Sequence, residues 1–247
     1  MYVKYLTIIF LVFFLTSCNS NYNWGWYVLN PSLENGYSNL QFLLSGLSIT
    51  VLISIFSIFF SLILGFLISL LSLSNYKIFK WTNTIYIEIF RSIPLLVLLL
   101  WVYYGLPVLF GISFGPFIAG IISLSLSDSA FEAEIFRAGL QSVSKGQKDA
   151  GKSIGLNKFQ EMRFIIFPQA LRIILPAIGN QFVYVLKMSS LVSILGLADL
   201  TRKANELVVS VYRPLEIYSF LVLEYLILIL IISFLVRKLE QKLKTNL

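Results

Sequence analysis

The sequence predicts an all-α protein embedded in a membrane, and three observations carry that expectation. Of its 247 residues 57% are hydrophobic and only 13% charged, whereas a soluble domain carries about 25% charged residues. No charge occurs between Glu34 and Lys77, or between Arg91 and Asp128, and each gap exceeds the roughly 20 apolar residues that a transmembrane helix needs. Histidine is absent and Cys18 is the sole cysteine. The chain therefore lacks the usual proton shuttle, an internal disulfide and a multi-cysteine metal site.

The elements follow in order. Tyr5–Leu15 is a short apolar stretch behind Lys4, closer to a signal-like segment than to a full span. It ends in Leu15-Thr16-Ser17-Cys18, which resembles a bacterial lipoprotein cleavage box. Cys18 is then either a lipidation site or an incidental thiol behind an uncleaved anchor, so residues 1–18 form a signal-like or anchor helix. Residues 19–41 are expected outside the cytoplasm; Trp24 and Trp26 there resemble an interfacial anchor or a surface lying under a partner. Residues 42–73 make one long apolar run that must tilt or protrude. The charge-free run 92–127 is too long for one helix and carries turn chemistry at Gly105–Pro107 and Gly111–Pro116, giving spans near 92–110 and 117–134. Two more spans are expected at 168–187 and 215–236. A transmembrane unit thus covers 42–237, with a basic tail over 238–247.

Loop charges orient these spans. Lys77 and Lys80 form one basic cluster, Arg137, Lys145, Lys148, Lys152, Lys158, Arg163 and Arg172 a second, and Arg237, Lys238, Lys242 and Lys244 a third. All three fall on one face, which the positive-inside rule makes cytoplasmic. The net charge of +7 has its source in these loops, so it does not point to nucleic acid.

Residues 146–153 read GQKDAGKS and satisfy the phosphate-loop pattern G-x-x-x-x-G-K-[ST]. Their context opposes nucleotide binding. The preceding stretch reads as the end of a membrane helix, with Glu134 and Arg137 paired at i, i+3. A cytoplasmic loop of about 30 residues is also smaller than the roughly 50 that a domain needs. The loop reads instead as helix, glycine, helix. Ser144 with Gln147, and Asn157 with Gln160, make two capping-box pairs, and Gly155 suits a left-handed position after the first helix. Ala150 and Gly151 leave room for another surface to approach. This capped basic knuckle is either a docking element or an ordinary solvated loop.

At this point a resemblance becomes visible. Asp149-Ala150-Gly151, then Gly155, then Ile165-x-Phe167-Pro168 resembles the EAA loop of permease subunits of ATP-binding cassette (ABC) importers, with Asp for Glu, Gly for Ala and Phe for Leu. GLSITV (46–51), EIFRSIPLLVLL (88–99) and FEAEIFRAGLQSVSKGQ (131–147) are similar to further motifs of that family. FPQALRIILPAIGNQFVYVLKMSSLVSILGLADL (167–200) resembles its polar-amino-acid branch. Lys187-Met188-Ser189-Ser190-Leu191 stands where the branch has K-D-T-S-L, and Met188 removes a carboxylate.

The resemblance implies a type I ABC importer transmembrane domain, with five core transmembrane helices beside the N-terminal helix, in a bacterial inner membrane. It implies a non-catalytic subunit without cofactor or metal. The implied partners are an ABC ATPase dimer, a periplasmic solute-binding protein and a second permease subunit, identical or paralogous. ATPase coupling would fall to Gly146, Asp149, Ala150, Gly151, Gly155, Ile165 and Pro168, within a loop over about 137–167. A substrate pathway or gate would involve Arg91, Pro94, Lys187, Ser189, Ser190 and Glu224. Charges at membrane depth are costly and default to function. Lys187 either attracts a substrate carboxylate, snorkels, or pairs with Asp199 or Glu224, while Glu88 and Arg91 are expected to pair along one helix. Glu224 pairs internally or faces a polar cavity. Pro94, Pro107, Pro176, Gly179 and Gly196 mark breaks or hinges. The alternative reading is a self-sufficient secondary transporter or channel, which needs coupling groups, a repeat or a filter of its own. A membrane enzyme would need a nucleophile, base or metal set that the composition does not supply.

Overall fold

The computed structural model describes residues 22–245, so Tyr5–Leu15 and Cys18 lie outside the described residues. A 3₁₀ turn, Trp26–Leu29, precedes helices α1 (Glu34–Leu44) and α2 (Leu47–Ser72). The long apolar run is therefore two helices, parted at Ser45-Gly46. The break lies where the chain must pass close to a later segment: a Cβ on Gly46 would stand 2.6 Å from the backbone of Asp199 and Leu200.

Helix α3 (Lys77–Ser92) is bent by 96° against the run Leu95–Phe110, here α4. The span expected near 92–110, with Pro94 as a break or hinge, starts at Leu95 and stands at a sharp angle to α3. Pro94 has no N–H to continue the ladder, and it forces Ile93 into an extended conformation (φ −82°, ψ 122°). The expected turn at Gly105–Pro107 is also absent. A π-helical turn, Trp101–Gly105, carries α4 through that stretch to Phe110, absorbing Pro107 in the first turn of the next α-helical piece. Left-handed Gly111 then ends the helix (φ 68°).

Helix α5 (Pro116–Gln141) runs 26 residues, and α6 (Lys145–Ser153) forms the knuckle. A short turn, Lys158–Glu161, and a π-helical turn, Met162–Ile166, lead into α7 (Phe167–Met188) and a 3₁₀ stretch, Ser189–Leu195. An amphipathic helix that sequence reasoning left unassigned, α8 (Leu200–Val211), precedes α9 (Pro214–Thr245). Among the described residues Glu34–Ser72, Lys158–Leu195 and Pro214–Lys238 are long and apolar enough to cross a bilayer, and α3 with α4, taken together as one broken span, are a fourth segment of sufficient length and apolarity. Helix α5 carries Asp128 and Glu132 and packs at the centre of the bundle.

Packing explains that placement. One face of α2 holds Thr50, Ser54, Ser57, Ser61, Gly65 and Ser69, all buried, whereas Ile55, Phe59, Ile63 and Leu67 on the other face are exposed. Between two helices in lipid no hydrophobic force drives association, so small residues that let backbones approach take the interface and bulky apolar ones face the tails. The stripe packs along α5, where Ala119, Ser123, Asp128, Ala133 and Gly139 are buried. At one end of the bundle, Ile53, Leu99, Val102, Leu124 and Val192 form a core that fastens α4 to α2 and α5. At the end bearing α6, a second core of Phe136, Leu140, Val143, Ile166, Ala170 and Ile174 clamps the base of the loop.

Candidate functional site

The knuckle is built from local rules. Helix α6 ends in a Schellman closure: the Leu156 N–H donates to the Gly151 carbonyl (3.1 Å) and the Gly155 N–H to the Lys152 carbonyl (3.0 Å). Gly155 takes the left-handed conformation expected of it, at φ 81°. Asn157 and Gln160 form a reciprocal capping box, with both side chain–backbone bonds at 2.9 Å. The first expected box is not made. Ser144 caps α6 with its backbone carbonyl, which accepts from the Gln147 N–H (3.2 Å), and its hydroxyl takes no part.

Gly151 is a second correction. It does not leave room for an outside surface, because it faces inward and is buried; a Cβ there would stand 2.5 Å from Ile165 Cδ1. Gly151, Gly155 and Ile165 therefore shape the knuckle, while Gly146, Asp149 and Ala150 are exposed on it. Asp149 pairs with Lys152 (3.4 Å). Pro168 is exposed in the first turn of α7. Beside the exposed residues of α6 stand Ile154 (76% exposed) and Phe159 (71%).

The membrane-embedded candidates separate. Arg91 does not pair with Glu88. It bonds Glu134 of α5 at 2.7 Å and covers the Phe131 ring at 5.2 Å, so both expected intrahelical pairs give way to one interhelical bridge. Pro94 is the N-cap at the 96° break. Lys187 is exposed and makes no ion pair with Asp199 or Glu224 among the described residues. The hydroxyls of Ser189 and Ser190 are committed to the carbonyls of Leu186 and Lys187, both at 2.8 Å. Glu224 is buried, and neither of its carboxylate oxygens has a hydrogen-bond partner among the described residues. It lines an otherwise apolar cavity of about 270 Å³ with Leu44, Leu47, Leu200, Phe220 and Ile227. The two alternatives held for Glu224, an internal partner or a polar cavity, are both absent there.

Sequence reasoning missed the central cluster. Asp128 accepts from Ser61 Oγ (2.6 Å) and Gln181 Nε2 (2.5 Å), joining α5, α2 and α7 at one point. One turn on, Glu132 is fully buried, with both oxygens unpartnered among the described residues. Tyr86 of α3 reaches the Ser129 hydroxyl (2.7 Å) and Asn83 donates to the Ile68 carbonyl (2.8 Å), so the lower half of the broken span is hydrogen-bonded to its neighbours. The usable signal was the pair of carboxylates at i, i+4 inside an expected span.

Asp199, in the loop between the 3₁₀ stretch and α8, caps α8 by accepting from the Arg202 N–H (2.8 Å). Burial pushes its carboxyl up to about 6. The neighbouring Leu200 N–H donates to Thr50 Oγ1 (3.1 Å), fastening α8 to the start of α2.

Comparison with known proteins agrees with this architecture. Residues 61–245 match the family described as binding-protein-dependent transport system inner membrane component. The arginine transport system permease protein ArtQ of Bacillus subtilis (strain 168) is 38% identical over 218 residues, 88% of this chain and all of the relative. The glutamine transport system permease protein GlnP of Escherichia coli (strain K12) is 33% identical, over 83% of this chain and 94% of its own. A crystal structure of an amino acid ABC transporter with histidines superimposes at a TM-score of 0.78 with 38% identity, covering 83% of this chain and 96% of that one. An inward-facing MetNI methionine transporter shares the fold at a TM-score of 0.73 and 22% identity. The chain belongs to the inner-membrane permease family of binding-protein-dependent ABC transporters, as a membrane-spanning, non-catalytic subunit.

Proposed function

We propose that the chain forms the translocation pathway of an importer for polar amino acids. It would work with an ABC ATPase dimer, a periplasmic solute-binding protein and a second permease subunit, identical or paralogous. The observation that carries the substrate class is the pair of relatives named for arginine and glutamine, each matching more than four-fifths of this chain. The proposed coupling set is Gly146, Asp149, Ala150, Gly151, Gly155, Ile165 and Pro168. In this division Gly146, Asp149, Ala150 and Pro168 offer surface, and the other three hold its shape.

The mechanism rests on rigidity. An ATPase closing on nucleotide displaces α6; the packed base under Phe136, Leu140 and Ile166 passes that displacement to α5 and α7, which move as levers. The broken span, with Arg91 and Pro94 at its corner, and exposed Lys187 are the proposed pathway residues. Glu224 is a third candidate, reached only if the bundle opens beside it. GQKDAGKS is proposed to bind no nucleotide: its residues lie in or beside α6, with backbone groups used by the helix and Lys152 drawn to Asp149.

Proteoliposomes containing this chain, its co-encoded ATPase and its binding protein test the reading with labelled arginine and glutamine. Uptake is expected only with ATP and both helpers. Uptake or ATP hydrolysis by the chain alone would overturn it.

A further inference from the structure

The segment Tyr22–Leu29 lies wholly outside the matched family region, which begins at residue 61, yet it is tied firmly to the opposite end of the chain. The buried carboxylate of Glu216, in the first turn of α9, accepts from the Tyr22 hydroxyl (2.5 Å) and from the Gly25 N–H. Arg213 donates to the Asn23 carbonyl (2.7 Å) and lies over the Tyr27 ring (5.8 Å). These contacts brace a corner that carries strain of its own, since Tyr212 between α8 and α9 is left-handed at φ 55°.

The strap holds its aromatic rings outward. Trp24 and Trp26 stack in parallel with centroids 5.7 Å apart, and Tyr22 meets Trp24 edge-on at 5.4 Å. Trp24 is 58% and Trp26 47% exposed. Their depth follows from α9. Its apolar span, Pro214–Lys238, has 25 residues, about 37 Å at 1.5 Å per residue. Set across a hydrocarbon core of about 30 Å, it extends roughly 4 Å beyond each side. Glu216, two residues into that span, therefore lies at the boundary, and the rings flanking Gly25 lie within one side-chain length of it. Leu215, Tyr218 and Val222, which follow in the first turns of α9, are exposed apolar residues as well. Indole rings are amphipathic, with an N–H for the wet side and a flat apolar body for the tails.

We propose that Tyr22–Leu29 is a membrane-seated clamp. Trp24 and Trp26 occupy the headgroup layer of the extracytoplasmic leaflet, and Glu216 and Arg213 couple that seat to the α8–α9 corner. The leaflet follows from the loop charges that orient the chain; the proposal does not depend on which solute is carried.

The test uses the full chain with Trp81→Phe and Trp101→Phe, leaving Trp24 and Trp26 as the fluorophores, in nanodiscs of phosphatidylcholine. Lipids brominated near the headgroup are expected to quench at least about twofold more than lipids brominated near the chain ends or aqueous iodide. Tyr22→Phe, which removes one donor to the buried Glu216 carboxylate, and Glu216→Ala, which removes the carboxylate itself, are expected to shift quenching toward iodide. Three results overturn the proposal: stronger quenching by iodide than by shallow bromine, rings shielded only when the solute-binding protein is added, or an unchanged profile in both variants.

Discussion

The left-handed turn at Gly155 sets a quantitative test of the knuckle. At φ 81° an L side chain brings its Cβ against the following carbonyl oxygen, at roughly 1–2 kcal/mol per residue. A Cβ added to Gly155 would meet no atom of the described residues within 4 Å, so contact with neighbours adds no further penalty and the backbone term stands alone. Gly155→Ala should lower the free energy of local opening by that 1–2 kcal/mol, less the few tenths recovered from a stiffer unfolded chain. Gly155→Asn should lose much less, because Asn tolerates this region, and Gly155→Val should lose most.

The natural probe is the Leu156 amide, held by the Gly151 carbonyl at 3.1 Å. Its hydrogen exchange should accelerate about 5- to 30-fold in the alanine variant. Uptake per ATP hydrolysed, in the reconstituted importer, should fall in the same order: Asn, then Ala, then Val. Equal exchange rates in the three variants would refute the strain argument. Graded exchange with unchanged coupling would refute the link between knuckle shape and transport.

Three further outcomes follow from the buried contacts. Gly46→Ala places a Cβ 2.6 Å from the Asp199 and Leu200 backbone, an overpacking of about 1–3 kcal/mol that should appear as a lowered Tm in detergent. Arg91→Ala breaks a bridge whose side chains are 42% and 34% exposed, so it should alter stability by less than about 1 kcal/mol. A much larger fall in uptake with a normal Tm would then place Arg91 on the pathway, and a normal uptake would remove it from there. For Asp199 the folded value is about 6, above the ordinary 3.8, so the folded state holds the proton more tightly. Its contribution favours folding below about pH 4 and is lost as pH rises through 6, by up to about 3 kcal/mol. Asp199→Asn keeps the cap on α8 and should flatten that part of the stability–pH curve, whereas Asp199→Ala should also lose roughly 1 kcal/mol of capping.

What the residues disclosed in advance depended on whether the cause was local. The Asn157–Gln160 box, the left-handed Gly155 and the helical spacing of α6 are decided within a few residues, and all are found where the pattern puts them. The Ser144 box had the same pattern and is not made, since the backbone carbonyl already serves the Gln147 amide. The Pro94 break was foreseen as a hinge; its 96° angle was not, because the angle is set by where Tyr86 and Asn83 anchor α3 on α5 and α2. Partners remote in sequence were illegible for a related reason. Arg91 had an acid three residues away and chose one 43 residues on, and no single-chain pattern separates these when both lie within reach. Yet the stripe Thr50, Ser54, Ser57, Ser61, Gly65 and Ser69 was printed in the sequence at helical spacing, inside a run counted only as apolar. In lipid that small and hydroxylated face is the informative one, because the bulky residues merely mark the side facing the tails. Following it across the interface leads to Ser61, and from Ser61 to Asp128, the carboxylate that ties α2, α5 and α7 together.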